Sequence, residues 1–337
     1  MTTRVAPPSS LVRLKPLISA GLRDAVGRLS PRLSQIVSYH LGWQDEMGRE
    51  THAGGGKSLR PTIALVAAEA VGAPAEAALP GAVAVELVHN FSLLHDDVMD
   101  GDRERRHRPT VWALFGMGEA IIAGDALLAL AQRVLLDDAR PHGRRAAEEL
   151  NRATAEMIEG QSEDLSFEAR IDVSIEECLS MSAHKTAALL SAAAAVGAIL
   201  GDGDERSIHG LRSFGRHLGL AFQAVDDVLG IWGNPAITGK PAASDLWQRK
   251  KTIPVAHALS ANRRRELKAL LSNGELTEDR VHEAMRIIEE GGSRNWALDL
   301  AGQNLGAAMA ALENGAFVPT AAEELRELAH FVVRRGF

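Results

Sequence analysis

The sequence predicts an all-α fold, and three observations carry that expectation. Ala and Leu recur throughout, while strand signals are sparse: a single tyrosine and few runs of β-branched residues. Helix boundaries are well marked by capping residues, proline and glycine. Two stretches, Pro80 to about Asp100 and about Leu211 to Leu229, are apolar nearly all round, as the central helices of a bundle are.

Taken in order, the first ten or so residues are expected to be disordered. Pro80 stands where a first helical residue would. Ser174 with Glu177, and Thr320 with Glu323, read as capping boxes. Thr277 starts EDRVHEAMRIIEE, and Gly291-Gly292 stops it. The run Thr186 to Leu200 falls short of the roughly 20 residues of a membrane span and reads as a buried helix. Length alone suggests about two domains, but no linker or change of composition divides the chain. The expectation is one domain over residues 1–337, built from about a dozen helices without a solenoid repeat.

Hydrophobic residues make up 46% and charged residues 24%, an ordinary globular balance. A net charge of −7 argues against a nucleic-acid partner, which selects a basic face. Any bound anion must be held by a local basic cluster. One cysteine, Cys178, excludes an intrachain disulfide, and the N-terminus lacks the apolar core of a secretory signal. A reducing, cytoplasmic location is the expectation.

The chemistry concentrates at HDDVMDGDRERRHRPT, residues 95–110. In a helix, Asp96 and Asp100 share a face with His89 and Ser92, and Asp97 lies about 100° round the axis. A second acidic cluster, FQAVDDVLG, places Gln223 and Asp227 four apart, with Asp226 beside them. A lone pair of aspartates at a helix end is usually solvated surface. Here like charges repel one another and also face the unfavourable end of the helix dipole, so a compensating cation is implied. All-oxygen ligands suit Mg²⁺, which takes one or two carboxylates and completes its shell with water and substrate phosphates. Basic residues complete the charge balance: Arg105 and Arg106 after the first cluster, Lys240 and Lys250 after the second, Lys57 and Arg60 in GGGKSLRP, and Lys185 in HKTAALL. The GGGK run lacks P-loop spacing, and the arginines at 263–265 read as a solvated face.

Taken together, GGKSLRP, VHNFSLLHDDVMDGDRERRHRPT, HKTAALL, FQAVDDVLG and TGKPAASDLWQRKKTIP resemble, in order, the motifs of the trans-isoprenyl diphosphate synthases, the polyprenyl synthetase family. The resemblance covers roughly Gly54 to Pro254. It implies an isoprenoid synthase-type helical bundle around a central apolar cavity, commonly a homodimer, and short-chain geranylgeranyl synthase activity. By the same resemblance Asp96, Asp97, Asp100 and Asp226, with Asp227, bind Mg²⁺, three ions in all. Arg105, Lys185, Thr186, Lys240 and Lys250 serve the allylic diphosphate, Gln223 orients the second metal cluster, and Lys57, Arg60, His89 and Arg106 hold isopentenyl diphosphate. Phe91 and Ser92, about 6–8 Å deeper along the helix than Asp96, set the cavity floor and favour a C20 over a C15 product.

Four positions depart from the family pattern. Gly230 replaces the third acid of the second motif, Ser58 an arginine, and His107 and Arg249 glycines. Two other readings compete. A terpene cyclase shares the cavity and first motif but needs no second diphosphate site. A non-catalytic partner subunit would have lost metal acids or phosphate-binding bases.

Overall fold

The computed structural model of the chain describes residues 6–51, 56, 58–234, 242–260, 264–272 and 276–334. Lys57 and Lys240 lie outside the described residues, as do the first five residues and Arg263.

The fold is all-α. Helices α1 (Ser9–Val26), α2 (Pro31–His40) and α3 (Leu59–Ala70) precede α4 (Leu79–Met99), in which Pro80 is the second residue and not the first. Then follow α5 (Val111–Phe115), α6 (Met117–Leu136), α7 (Pro141–Glu168), α8 (Ile175–Ser182), α9 (Ala188–Leu200) and α10 (Glu205–Trp232). The remainder is α11 (Ser244–Trp247), α12 (Ile253–Ser260), α13 (Arg264–Ser272), α14 (Glu278–Glu290), α15 (Ser293–Glu313) and α16 (Pro319–Arg334).

Every residue of α9 is buried, and α3, α4, α7 and α10 pack around it. Small residues make that approach possible. A side chain on Gly197 would run into the backbone carbonyl of Ala64 on α3, and one on Gly215 into that of Leu190. Two continuous helical stretches, Ala75–Met99 and Ile175–Leu200, reach the length and hydropathy of a membrane span. They are 67% and 83% buried within the protein, so they are its core helices. The helical stretch that carries the apolar run Thr186 to Leu200 therefore begins at Ile175.

Between α8 and α9 the helix widens into one π turn, Ala183–Ala187, which contains Lys185 and Thr186. Gly160 of α7 lies against this turn. A Cβ there would clash with the Lys185 amide and come within 2.8 Å of the His184 Cβ.

Three boundary expectations are corrected. Helix α1 begins at Ser9, ahead of the expected disordered limit, because Leu11, Leu14, Ile18 and Leu22 form a buried stripe that holds its first turn. Helix α10 starts at Glu205 rather than near Leu211, because Asp204 caps it by accepting the Ser207 amide at 2.7 Å. Helix α16 begins on Pro319, so Thr320 is inside the helix and Glu323 pairs with Arg326 instead of forming a box. The Ser174–Glu177 box and the Thr277 cap both form.

Among the described residues, the only sheet is a two-stranded hairpin, Glu104–Arg105 with Arg108–Pro109. Its loop is Arg106-His107, with φ of 53° and 61°. Two left-handed central residues define a type I′ turn, whose twist suits a tight hairpin and which favours glycine. That is why His107 occupies a position where glycine is expected.

Candidate active site

The basic run after α4 divides into structural and site residues. Arg108 donates to the carbonyls of Tyr39 (3.2 Å) and Gln44 (2.8 Å) and lies over the Tyr39 ring. Arg103 covers the Trp112 ring. The Asp102 carbonyl accepts from Thr110 Oγ1 (2.8 Å) and Trp112 Nε1 (2.7 Å), latching the hairpin base to α5. Arg105 and Arg106 are left to face the site.

Asp97, expected among the metal ligands, is 2% exposed and turned onto Arg105, accepting its Nε–H at 2.7 Å. Burial pushes its carboxyl up to about 6, against the pull of Arg105. Asp96 and Asp100 occupy the other face of the α4 end. Burial raises Asp96, and Asp100 adds to that while Lys185, Arg105 and Lys250 oppose it. Lys250 crosses from the chain between α11 and α12 to place Nζ 3.3 Å from Asp100 Oδ2. Burial alone would lower its ammonium, but Asp100, Asp164 and Asp245 together raise it. Lys185 Nζ lies 2.6 Å from Asp164 Oδ2, and His184 Nδ1 3.1 Å from Glu163 Oε2. The close approach of α7 at Gly160 makes both pairs possible.

The second acidic cluster is built differently. Thr186 donates to Gln223 Oε1 (2.6 Å), Gln223 Nε2 donates to Asp227 Oδ1 (2.6 Å), and the Ile253 amide donates to Asp227 Oδ2 (2.8 Å). Asp227 thus faces inward and joins the π turn, α10 and the start of α12. Burial pushes it up to about 8, with Asp245 and Asp226 adding to the rise. Asp226 stays exposed at the helix end.

A third group lies beside α3. Arg60 Nη1 is 3.4 Å from His89 Nε2, and Arg106 Nη2 lies 2.9 Å from where a Cβ on Gly56 would be. Burial, then the charges of Arg60, Arg106 and Arg105, hold His89 neutral. His40 lies 3.1 Å from Asn90 Oδ1. Phe91 is buried edge-to-face on His95, with centroids 4.8 Å apart, and His95 wedges against Gly124 of α6. Ser92, half-buried, donates to the His89 carbonyl.

Asp164, Glu163, Gly160, His40 and Asp245 all serve the site without a sequence expectation attached to them. For α7 a signal exists: Gly160 and Asp164 are four apart, on one helix face.

Among the described residues, no three His, Cys, Asp or Glu side chains close on one point as a ready metal cage. The donor chemistry still fits Mg²⁺. Asp96 and Asp100 stack one turn apart, and Asp226 is exposed on the second helix. Mg²⁺ asks for one or two carboxylates and takes the rest from phosphate and water.

Two acidic helix ends, one of them holding Lys250, and a separate arginine–histidine group beside α3 give the charge pattern of a site for an anionic substrate on an all-α scaffold. A model of the family described as polyprenyl synthetase matches residues 42–288. The chain is 48% identical, over 99% of its length and 94% of the relative's, to the (2E,6E)-farnesyl diphosphate synthase of Mycobacterium tuberculosis. It is 41% identical to a geranylgeranyl diphosphate synthase of the same species, covering 93% and 90% of the two chains. The crystal structure of a polyprenyl synthetase from Streptomyces coelicolor A3(2) superposes with a TM-score of 0.92 at 46% identity, covering 96% of this chain and 99% of that one. The chain belongs to the polyprenyl synthetase family and is a trans-prenyltransferase.

Proposed function

We propose that this enzyme condenses isopentenyl diphosphate with an allylic diphosphate of C5 to C15, head to tail, to give geranylgeranyl diphosphate. One observation supports the reading: the basic residues around the acidic clusters fall into two groups, each suited to an anion. Asp96, Asp100 and Asp226, with Arg105, Lys185 and Lys250, surround one. Arg60, His89 and Arg106 form the other. A cyclase acting on one diphosphate has no use for the second, and a non-catalytic subunit would not keep both.

Asp96, Asp100 and Asp226 would hold Mg²⁺, three ions by analogy with the family, which supply charge neutralisation at the allylic diphosphate. Arg105, Lys185 and Lys250 donate to the departing diphosphate as its C–O bond ionises, and Lys240 adds to them. Asp97 holds Arg105 in place, and the Thr186–Gln223–Asp227 chain fixes the second helix end. Arg60, His89 and Arg106, with Lys57, orient isopentenyl diphosphate so that its double bond attacks the allylic carbon. The proton then lost passes to the diphosphate just released. Apolar helix walls keep water from the cation.

Phe91 and Ser92 as the cavity floor support a C20 product. The 48% identical mycobacterial relatives, described as farnesyl synthases, favour C15 as a second reading. A homodimer is supported by the apolar face of α5 and α6, where Met117 and Ile122 are more than half exposed. One domain over residues 1–337 and a cytoplasmic location complete the proposal, the latter in keeping with a buried, reduced Cys178.

The test is incubation with Mg²⁺, isopentenyl diphosphate and each of the C5, C10 and C15 starters, with products identified by mass spectrometry. Elongation ending at C20 supports the proposal. Termination at C15 selects the second reading, and a cyclic hydrocarbon from a single substrate overturns both.

A further inference from the structure

Away from the acid clusters, a cleft of about 200 Å³ lies between α7 and α10. On α10, His209, Arg212, Ser213 and Arg216 share one face at helical spacing and line it, and Arg152 and Glu156 of α7 stand across from them. Ala188 and Ser191 of the buried α9 form its floor, and their short side chains leave the space unfilled. Glu149 of α7 braces the two walls. It is buried and accepts from Arg152 Nη2 (2.7 Å), Arg212 Nε (2.9 Å) and Arg212 Nη2 (3.1 Å). Burial acts to raise its carboxyl, but those bonds hold it below the usual range, so it stays charged. Glu156 Oε1 accepts from Arg152 Nη1 at 3.1 Å. Arg216 Nη1 stands 3.9 Å from Glu156 Oε2, beyond hydrogen-bond reach. Three guanidiniums thus meet two carboxylates, which leaves the cleft positive. It is separate from the active site: Arg216 precedes Asp226 on α10 by roughly 15 Å along the axis.

We propose that this cleft is a second, metal-independent site for inorganic diphosphate, the by-product that each prenyl transfer releases. Arg212 and Arg216 stand one turn apart, about 6 Å along the axis, with Arg152 opposite. That spacing matches an extended anion of two phosphates better than a single oxyanion, and planar guanidiniums bind phosphate oxygens in pairs. A volume of about 200 Å³ admits the free anion but not a prenyl chain of fifteen carbons or more. Ala188 is also the residue at which the π turn passes into α9. An occupant of the cleft therefore lies against the base of the turn that carries Lys185 and Thr186. The inference rests on prenyl transfer as the activity and is independent of the product length.

The test measures binding without turnover. Titration calorimetry with inorganic diphosphate, in chelator and without Mg²⁺, is run on an Arg60→Ala, Lys250→Ala background that weakens both basic groups of the active site. One binding event is expected to persist there. Adding Arg216→Gln is expected to weaken it about 10–100-fold, the worth of one charge-assisted hydrogen bond. Ser213→Glu, which sets a carboxylate in the cleft, is expected to abolish it. Melting curves check that each protein folds; Arg216 is exposed and Ser213 half-buried, so neither change opens the core. Should the background fold poorly, Arg216→Gln in the wild type carries the same reading, through loss of one metal-free binding event. No binding in a folded background, or binding that Arg216→Gln leaves unchanged, overturns the site while leaving the prenyltransferase reading intact. Inorganic phosphate binding more tightly than diphosphate overturns the choice of ligand.

Discussion

Lys250 Nζ stands 3.3 Å from Asp100 Oδ2, joining two stretches of chain 150 residues apart. The contact sets a cation at the mouth of the first acid cluster, where departing diphosphate would collect charge. Lys250→Ala is therefore expected to lower kcat by about 100-fold or more, the usual scale for losing one preorganised donor to a developing anion. Single-turnover kinetics check this, and an unchanged rate of the chemical step would remove Lys250 from the machinery.

The second anion pocket should respond differently. Arg60→Ala removes a charge beside His89, at the position proposed for isopentenyl diphosphate. It is expected to raise KM for isopentenyl diphosphate roughly 10–100-fold, the worth of one charge-assisted hydrogen bond, with a smaller effect on KM for the allylic substrate. Equal effects on the two substrates would dissolve the distinction between the pockets.

His40 carries a pH prediction. Burial, then Arg105 and Arg106, hold its imidazole down at about 3, against 6.5 for a free histidine. The unfolded chain therefore takes up this proton first as pH falls. The stability that neutral His40 contributes is fully present above about pH 6.5 and is lost progressively toward pH 3. His40→Gln, which stays neutral, should show a smaller drop in melting temperature between pH 7.5 and pH 5.5. Parallel pH slopes in the two proteins would count against it.

Two loop residues hold strained backbone next to the site. His107 has φ of 61° and Arg249 has φ of 54°. A left-handed conformation costs a non-glycine residue on the order of 1 kcal/mol. His107→Gly and Arg249→Gly are each expected to stabilise the protein by about that amount, less the added entropy of the unfolded chain. Denaturant melts read the change directly, and loss of stability in either variant would mean that the side chain holds its loop.

Most of the site was legible because its residue types are unusual where they stand. Carboxylates at the ends of apolar helices and a reversal of sign after Asp102 need a reason, and the structure sets Arg60 beside His89 and Lys250 beside Asp100. What escaped notice depended on packing. The 100° step that sets Asp97 apart from Asp96 is readable from the sequence, but not that it turns Asp97 onto Arg105, nor that Asp227 is held by Gln223 and the Ile253 amide. Asp164 and Asp245 are ordinary surface-type residues until Gly160 and Gly230 let their elements approach. The Glu104–Pro109 hairpin was hidden because its turn uses Arg106-His107 instead of the glycine that signals such turns.

The π turn at Ala183–Ala187 works as a shift of phase. One residue beyond the regular count advances everything after it by about 100° relative to everything before. Helix α8 can therefore keep Cys178 and Met181 in the core while Lys185 and Thr186 address α7 and α10. Deleting Ala183 would restore an unbroken α-helical ladder and improve local hydrogen bonding. It would also put the two halves of the helix out of step, so that core and site could not both be served. The widened turn is the point at which the chain trades regular structure for a second heading.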